Sequence, residues 1–180
     1  MCAACGGADG PVFVPDAVLE CALEPRARWT EPGEQGDVDV TTNALGLRAP
    51  EVVVPRPADV FRIVALGDEF TFGSGVVAEA RWTVALADAL ATADGRRVEV
   101  LAAGVPGWSP AQAFLFLRQQ LFELQPDLVL WQLAGDDLRE LALMVRSSGR
   151  QLAPLRVQAG WIYLSTTNQT GPALAEVLAR

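Results

Sequence analysis

The side chains best placed to do chemistry in this sequence are two pairs of neighbouring carboxylates. Asp68 and Glu69 directly follow one apolar run, and Asp136 and Asp137 come just after another. One residue from each pair, Glu69 and Asp136, could together hold a hard cation such as Ca²⁺ or Mg²⁺ through oxygen ligands, or act as the acid and base of glycoside hydrolysis. The 180 residues include no histidine, so a Ser-His mechanism cannot be assembled from this sequence alone.

Both pairs lie where buried strands of an α/β protein are expected to end. Residues 61–66 are apolar apart from Arg62, and residues 127–133 form a second run of this kind. Such runs are typical of parallel strands that are buried on both faces. Because open α/β sheets bind ligands beyond the carboxyl ends of their strands, the sequence predicts a crevice that contains Glu69.

From residue 61 onward, strands and helices are predicted to alternate with short connections. This pattern predicts a parallel, right-handed α/β unit with the sheet order second, first, third. The face of the first helix is expected to carry Trp82, Leu86, Ala89 and Leu90. The predicted elements are a strand at 61–66, a helix at 79–93, a strand at 98–101, a helix from Ser109 to Leu124, a strand at 127–133, a helix at 138–148, a hairpin with strands at 152–157 and 161–165, and a helix at 171–180.

Residues 1–60 are predicted to form an extended acidic arm lying over a domain made of residues 61–180. The arm carries ten acidic residues against four arginines, whereas residues 61–180 carry twelve against ten. Short strands are expected within the arm at 12–14, 38–40 and 52–54. Cys21 has apolar neighbours in the sequence, which favours a buried free thiol.

Composition indicates one globular domain and argues against two classes of partner, nucleic acids and anionic membranes. The hydrophobic content of 51% excludes a disordered chain, and no apolar run is long enough to cross a bilayer. A net charge of −8 argues against nucleic acid and against anionic membrane surfaces as partners. Cys2 and Cys5 have no second pair or histidine with which to form a zinc site, and they are interpreted as part of a mobile terminus.

Three blocks of this sequence resemble the SGNH (GDSL-type) hydrolases, a family of esterases, lipases and carbohydrate deacetylases. Gly67-Asp68-Glu69 resembles the first block, in which a nucleophilic serine stands at the position of Glu69. Residues 101–107 resemble the second block and place its oxyanion-hole glycine at Gly104. Residues 133–138 resemble the third block, Gly-x-Asn-Asp, with Asp136 at the asparagine position. Residues 42–51 resemble a segment that precedes the first block in one bacterial branch.

The resemblance implies a three-layer, flavodoxin-like core with a short parallel sheet, an N-terminal arm and a C-terminal hairpin. Relative to the family the sequence is incomplete, since the later strands and an Asp-x-x-His block are missing from it. Glu69 and Asp136 replace the nucleophile and an amide donor, so only Gly104 keeps its part in the oxyanion hole. We therefore expect a catalytically inactive domain that acts as a structural or interaction subunit and needs no cofactor or metal.

Several alternatives remain open at the level of sequence. The crevice residues Asp68, Glu69, Gly104, Trp108, Asp136 and Asp137 are candidates for binding an acyl, sugar or cationic ligand, and a hydrolase with altered chemistry is a further possibility. Glu69 is equally compatible with an ion pair or a helix N-cap.

Partners and location follow from the same resemblance. The apolar strand at 127–133 is expected to need a cover over its open edge, from the hairpin at 152–165, the N-terminal arm or another protein. Because the hairpin is too small to replace the family's later strands and helices, another protein subunit is expected there. The branch it resembles favours a bacterial, extracytoplasmic or membrane-associated protein, and residues 3–7 resemble a lipoprotein signal that would place a lipid anchor on Cys5.

Overall fold

A computed structural model of the protein describes residues 10–90, 92 and 94–133, together with the backbone of residues 162–165. This part of the chain is mixed α/β, with a parallel sheet, short helices and two β-hairpins. The α/β class and the parallel sheet are thus confirmed. The helices expected at 138–148 and 171–180, and the hairpin strand expected at 152–157, lie outside the described residues.

Two antiparallel hairpins come first along the chain. One joins β1 (Phe13–Asp16) to β2 (Glu20–Leu23), and the other joins β3 (Arg28–Gly33) to β4 (Gly36–Thr41). Two of the three strands expected in the arm are therefore present, but residues 52–54 do not form a strand. Prolines at positions 50 and 55 flank that segment and cannot donate to a sheet, and the carbonyl of Val53 accepts a bond from Arg62 instead.

The central sheet has four parallel strands, which are β5 (Val60–Gly67), β6 (Arg97–Gly104), β7 (Leu128–Gln132) and β8 (Ile162–Ser165). They lie in the order β6-β5-β7-β8, so the expected order of the first three strands is confirmed. Gly67 and Gly104 are register partners at the carboxyl ends of β5 and β6. Because β6 and β7 flank β5 on opposite sides, the chain changes direction across the sheet at the end of β5.

The outer edge of β7 is paired by the chain itself. Residues 129–132 of β7 are in parallel register with Ile162–Ser165. The strand expected at 161–165 is thus confirmed, whereas the expectation that a partner subunit must cover the edge of the third strand is wrong. The physical reason is that β8 already provides the backbone partners that an open edge would lack.

A buried arginine lies near the amino end of the central strand β5. Arg62 is fully buried on β5, and its Nε lies 2.5 Å from Oε2 of Glu99, its register partner on β6. The guanidinium also donates to the carbonyls of Leu124 (2.6 Å) and Val53 (2.9 Å). A buried charge is tolerated only when it is paired and hydrogen-bonded. The carboxylate of Glu99 and the two carbonyls meet both requirements for Arg62.

Three short helices lie within the described ranges, α1 (Glu69–Phe72), α2 (Trp82–Ala89) and α3 (Pro110–Gln119). Helix α3 begins where the sequence predicts, because Ser109 and Gln112 form a reciprocal capping box. The helix expected at 79–93 is instead divided into a 3₁₀ turn and α2, since Arg81 has extended backbone between them. The helix expected to reach Leu124 ends at Gln119, and Leu121–Leu124 is a 3₁₀ turn.

One hydrophobic cluster unites the hairpins with the sheet. Its members come from both sides of residue 60, and they include Leu19, Cys21, Leu23, Val38, Val40 and Leu47 from the first part and Val64, Leu66, Phe72, Leu101, Trp108 and Trp131 from the second. The inward-facing residues alternate along β2 and β4, as a half-buried strand requires. The first sixty residues therefore supply one wall of the core that supports the crevice.

Candidate functional site

The turn after β5 carries the carboxylates of the first block. Asp68 is buried and is the N-cap of α1, where its Oδ1 accepts the N–H of Phe70 at 2.9 Å. Glu69 is the first residue of that helix and is exposed. The cap that was expected of Glu69 is thus made by Asp68, and no ion pair involves Glu69 within the described part of the chain.

Gly104 allows the end of β6 to lie close to the start of α1. A Cβ on Gly104 would lie 2.5 Å from both the carbonyl oxygen of Asp68 and the backbone nitrogen of Phe72. No side chain fits there without moving the backbone. Gly104 thus lies against the turn that carries Asp68 and Glu69, and this close approach depends on its having no side chain.

A tight crevice, with no space for even a water-sized sphere, lies at this end of the sheet. It is bounded by the end of β5, the start of α3 and the end of β7, and the residues that line it are Gly67, Asp68, Trp108, Ser109, Pro110, Ala113, Trp131 and Gln132. Asp68 and Trp108, two of the six expected site residues, therefore lie together. A pocket for a drug-sized ligand usually exceeds about 300 Å³, so a ligand could enter this crevice only if its walls moved apart.

Glu69 reaches towards the loop of the second block. Its Oε2 lies 3.5 Å from the backbone nitrogen of Gly107, which donates to it. Gly107 has a positive φ of 75°, a conformation that glycine adopts without strain. The N–H of Gly107 thus points to the carboxylate of Glu69.

Trp108 is held by the first hairpin. Its ring is buried and packs edge-to-face on Phe116, with centroids 5.2 Å apart. Its Nε1 donates to the carbonyl of Cys21 at 3.0 Å. Because its one polar atom is already paired, Trp108 can offer a crevice ligand only apolar ring surface.

Trp131 differs from Trp108, and sequence reasoning did not single it out. Its side chain is 92% buried, and its Nε1 has no hydrogen-bond partner in the described part of the chain. An unpaired buried donor is costly, and such groups are rare in folded proteins. Beside it, Gln132 accepts a bond from the hydroxyl of Thr71 at 3.0 Å. The sequence signal that could have identified Gln132 as a site residue is its position as a polar side chain near the end of the apolar run at 127–133.

A second missed feature fixes the loop that follows α1. Arg48 is buried, and its guanidinium donates to the carbonyls of Gly73 (2.5 Å) and Val76 (2.7 Å). Glu31 accepts the N–H of Gly75 at 2.7 Å and lies 3.9 Å from Arg48. The resemblance of residues 42–51 to a family segment was the signal for Arg48, but no pattern in the sequence linked it to Glu31.

Burial dominates the electrostatics of this loop. Desolvation lowers the pKa of Arg48 from its usual value, although the negative charge of Glu31 opposes the effect. Desolvation, with the positive charge of Arg48 second, lowers the pKa of Arg81 to about 10. Arg81 donates to the carbonyls of Arg48 and Ala78. Both guanidinium groups remain charged at neutral pH and serve as internal donors to backbone oxygens.

The remaining expected site residues cannot be placed. Asp136 and Asp137 lie outside the described residues, so their distances to Glu69 are not defined. Among the residues that the structure describes, no group of three or more histidine, cysteine, aspartate or glutamate side chains is arranged to hold a metal ion.

Cys21 corrects one expectation. It is fully buried on β2, as predicted, but it is disulfide-bonded and so is not a free thiol. Its partner lies outside the described residues. The sequence pattern around Cys21 indicated burial correctly, whereas pairing depends on a second cysteine whose position no local pattern reveals.

None of the helices in the described ranges is both long and apolar enough to cross a bilayer. No protein-family model matches the sequence, and no curated protein matches it significantly.

Proposed function

We propose that this chain is a non-catalytic domain of the SGNH-hydrolase type, with a three-layer, flavodoxin-like core, and that it acts as a structural or interaction subunit of a larger protein assembly. The proposal rests on the resemblance of the three blocks and on one observation at the site. A carboxylate, Glu69, stands at the nucleophile position and accepts the N–H of Gly107.

This arrangement argues against acyl transfer. An oxyanion hole works by directing preorganised N–H groups at a charge that develops during the reaction. Here Gly107, three residues after the expected oxyanion glycine Gly104, directs its N–H at a charge that is permanently present. The buried carboxylate of Asp68 lines the same crevice, so a developing oxyanion would meet negative charge.

An ester assay tests the loss of catalysis. The purified protein should hydrolyse p-nitrophenyl acetate no faster than buffer does. Glu69→Ser should be equally inactive, because none of the 180 residues is a histidine that could activate the new hydroxyl. Glu123→Ser, which changes an exposed carboxylate on another loop, is the matched control. Turnover that disappears in Glu69→Gln would instead make Glu69 a catalytic group.

The amino end of the sheet offers a surface for the proposed assembly. Val53, Val54 and Phe122 are each about half exposed there, at 61%, 53% and 49%. They lie on adjacent segments, because Arg62 bonds the carbonyls of both Val53 and Leu124. Neighbouring exposed apolar side chains of this kind are typical of protein contacts.

Substitution of this surface tests the interaction role. If it binds a partner subunit, Phe122→Asp should abolish the complex that native protein forms in cross-linking and co-purification from its source cells. Val18→Asp changes a similarly exposed side chain on the first hairpin and should leave the complex intact. Equal recovery of the complex with both variants would contradict the assignment of this surface.

A second candidate function is binding of a small ligand in the crevice once its walls move apart, which the unpaired Nε1 of Trp131 favours. An acyl carbonyl or a sugar oxygen would supply the missing acceptor. Titration with acetate and with N-acetylglucosamine, followed by tryptophan fluorescence, tests this candidate. A response that is lost in Trp131→Phe but kept in Trp29→Phe would support it, and no response from native protein would refute it.

A further inference from the structure

A second cavity, of about 320 Å³, lies away from the crevice, where the chain enters β3 and leaves β4. The polar residues that line it are Arg26, Arg28, Thr41, Thr42, Asn43 and Glu51. Its volume falls in the range of sites for small molecules. Neither the resemblance of the three blocks nor the proposed function assigns a role to this cavity.

The floor of the cavity is a fixed framework. The hydroxyl of Thr42 accepts the N–H of Ala27 (2.9 Å) and donates to the carbonyl of Glu24 (2.6 Å). The side-chain amide of Asn43 donates to the carbonyl of Pro50, and its oxygen accepts two backbone N–H groups of the following loop. Most of the hydrogen-bonding capacity of these two side chains is thus used to hold the surrounding backbone in place.

Three side chains at the rim of the cavity, those of Arg26, Arg28 and Thr41, can donate hydrogen bonds to a ligand. Arg28 and the hydroxyl of Thr41 have no hydrogen-bond or ion-pair partner in the described part of the chain, and they are register partners across β3 and β4. Directly opposed residues of an antiparallel pair project from the same face. Arg26 has only an ion pair with Glu51, at 3.7 Å between Nε and Oε1, and both side chains are more than 60% exposed. Such a pair is weak and readily exchanged.

The backbone also presents Arg26 in an unusual way. Its φ of 56° lies in the left-handed region, which is uncommon for a residue with a long side chain. The conformation is held by a hydrogen bond from its N–H to the carbonyl of Asn43 at 3.0 Å. The framework below the cavity thus fixes the backbone from which this guanidinium projects.

The distribution of arginines sets these two apart. The first sixty residues contain four arginines among ten acidic residues. Arg48 is bonded to the loop after α1, and Arg56 is bonded to Asp127 and to the carbonyl of Gln125. The two that remain, Arg26 and Arg28, both line the same cavity. A guanidinium recognises carboxylate and phosphate groups through parallel N–H donors.

We propose that this cavity binds an oxyanion, a carboxylate or a phosphate group, through the guanidinium groups of Arg26 and Arg28 and the hydroxyl of Thr41. Glu51 competes with the ligand for Arg26. Since none of these residues belongs to the crevice, the site is independent of the function proposed above.

Chemical-shift titration of the full chain tests the proposal, with inorganic phosphate and acetate as probes at constant ionic strength. We expect shifts centred on residues 26–28 and 41–43. Arg26→Gln and Arg28→Gln should each weaken binding on the order of tenfold, the usual scale for a charged hydrogen bond. Arg118→Gln, an exposed arginine on α3, is the matched control. Glu51→Gln should strengthen binding, because it removes the competing carboxylate.

Each outcome bears on the proposal. A response to only one probe supports it and identifies which oxyanion the site prefers. No response to either probe overturns it, and so does equal affinity in the two arginine variants and the native protein. Both arginines are exposed, so the variants should keep the native melting temperature. If one of them fails to fold, the Glu51→Gln variant decides, and unchanged or weaker binding by that variant overturns the proposal.

Discussion

At the scale of single residues, Arg62 is the side chain on which the sheet depends most. It is fully buried and joins Glu99 to the carbonyls of Val53 and Leu124. Arg62→Met should reduce the free energy of unfolding by about 3–5 kcal/mol, because it leaves the carboxylate and two carbonyls without a partner. Urea denaturation measures this loss. The control Arg118→Met should change stability by less than about 0.5 kcal/mol, and a similarly small loss in Arg62→Met would contradict the role given to Arg62.

Gly104 is the residue whose replacement should disturb the crevice most directly. In Gly104→Ala the new Cβ would lie 2.5 Å from backbone atoms of Asp68 and Phe72, so α1 must move away from β6. We expect a loss of about 1–3 kcal/mol, the usual cost of overpacking. Gly10→Ala, where nothing lies within 4 Å, is the control. A crystal structure of Gly104→Ala with α1 in its native place would show that the predicted clash is absent.

At the scale of elements, the loop after α1 is held in place from outside the sheet. Arg48 reaches two of its carbonyls, those of Gly73 and Val76, and the last carbonyl of α1, that of Phe72. Glu31 accepts the N–H of Gly75 in the same loop. An ammonium cannot reproduce this fork of donors. Arg48→Lys should therefore raise amide hydrogen exchange at residues 73–77 and cost about 1–3 kcal/mol.

Two comparisons make the exchange experiment specific. Arg26→Lys, an exposed arginine of the same segment, should leave exchange at residues 73–77 unchanged. If Arg48→Lys raises exchange evenly over the sheet as well, the effect is global destabilisation, and Arg48 then has no special hold on this loop.

The elements also separate what the sequence can predict from what it cannot. The strands at 61–66 and 127–133 were predictable because an unbroken apolar run in a parallel sheet has a clear signature. The start of α3 was predictable from Ser109 and Pro110. The break at Arg81 was not, because it depends on a guanidinium that reaches the carbonyl of Arg48, 33 residues earlier.

The site divides in the same way. The positions of Asp68, Glu69, Gly104 and Trp108 follow from blocks that end strands, and the structure brings them to one end of the sheet. Side-chain geometry in the folded protein decides that Asp68 caps α1 and that the indole of Trp131 lacks an acceptor. Local pattern carries no information on such pairings.

At the scale of the whole molecule, a disulfide reinforces the wall that the first hairpin provides. Cys21 is disulfide-bonded, and its carbonyl accepts the Nε1 of Trp108. Reduction should lower the free energy of unfolding by about 2–4 kcal/mol, the usual contribution of a disulfide. Urea denaturation with and without dithiothreitol measures the effect. Cys21→Ser should be insensitive to dithiothreitol, and a native protein equally insensitive would contradict a stabilising disulfide.

The shared core has a consequence for synthesis on the ribosome. Both hairpins are synthesised before the sheet. Trp108, which bonds the carbonyl of Cys21, is added 87 residues after it. The apolar faces of β2 and β4 likewise lack their partners until β5, β6 and α3 have been made. Isolated hairpins are marginally stable in water. At about 5–20 residues per second, their apolar faces stay uncovered for several seconds in every nascent chain. The acidic side chains concentrated in this segment would keep neighbouring nascent chains apart during that interval.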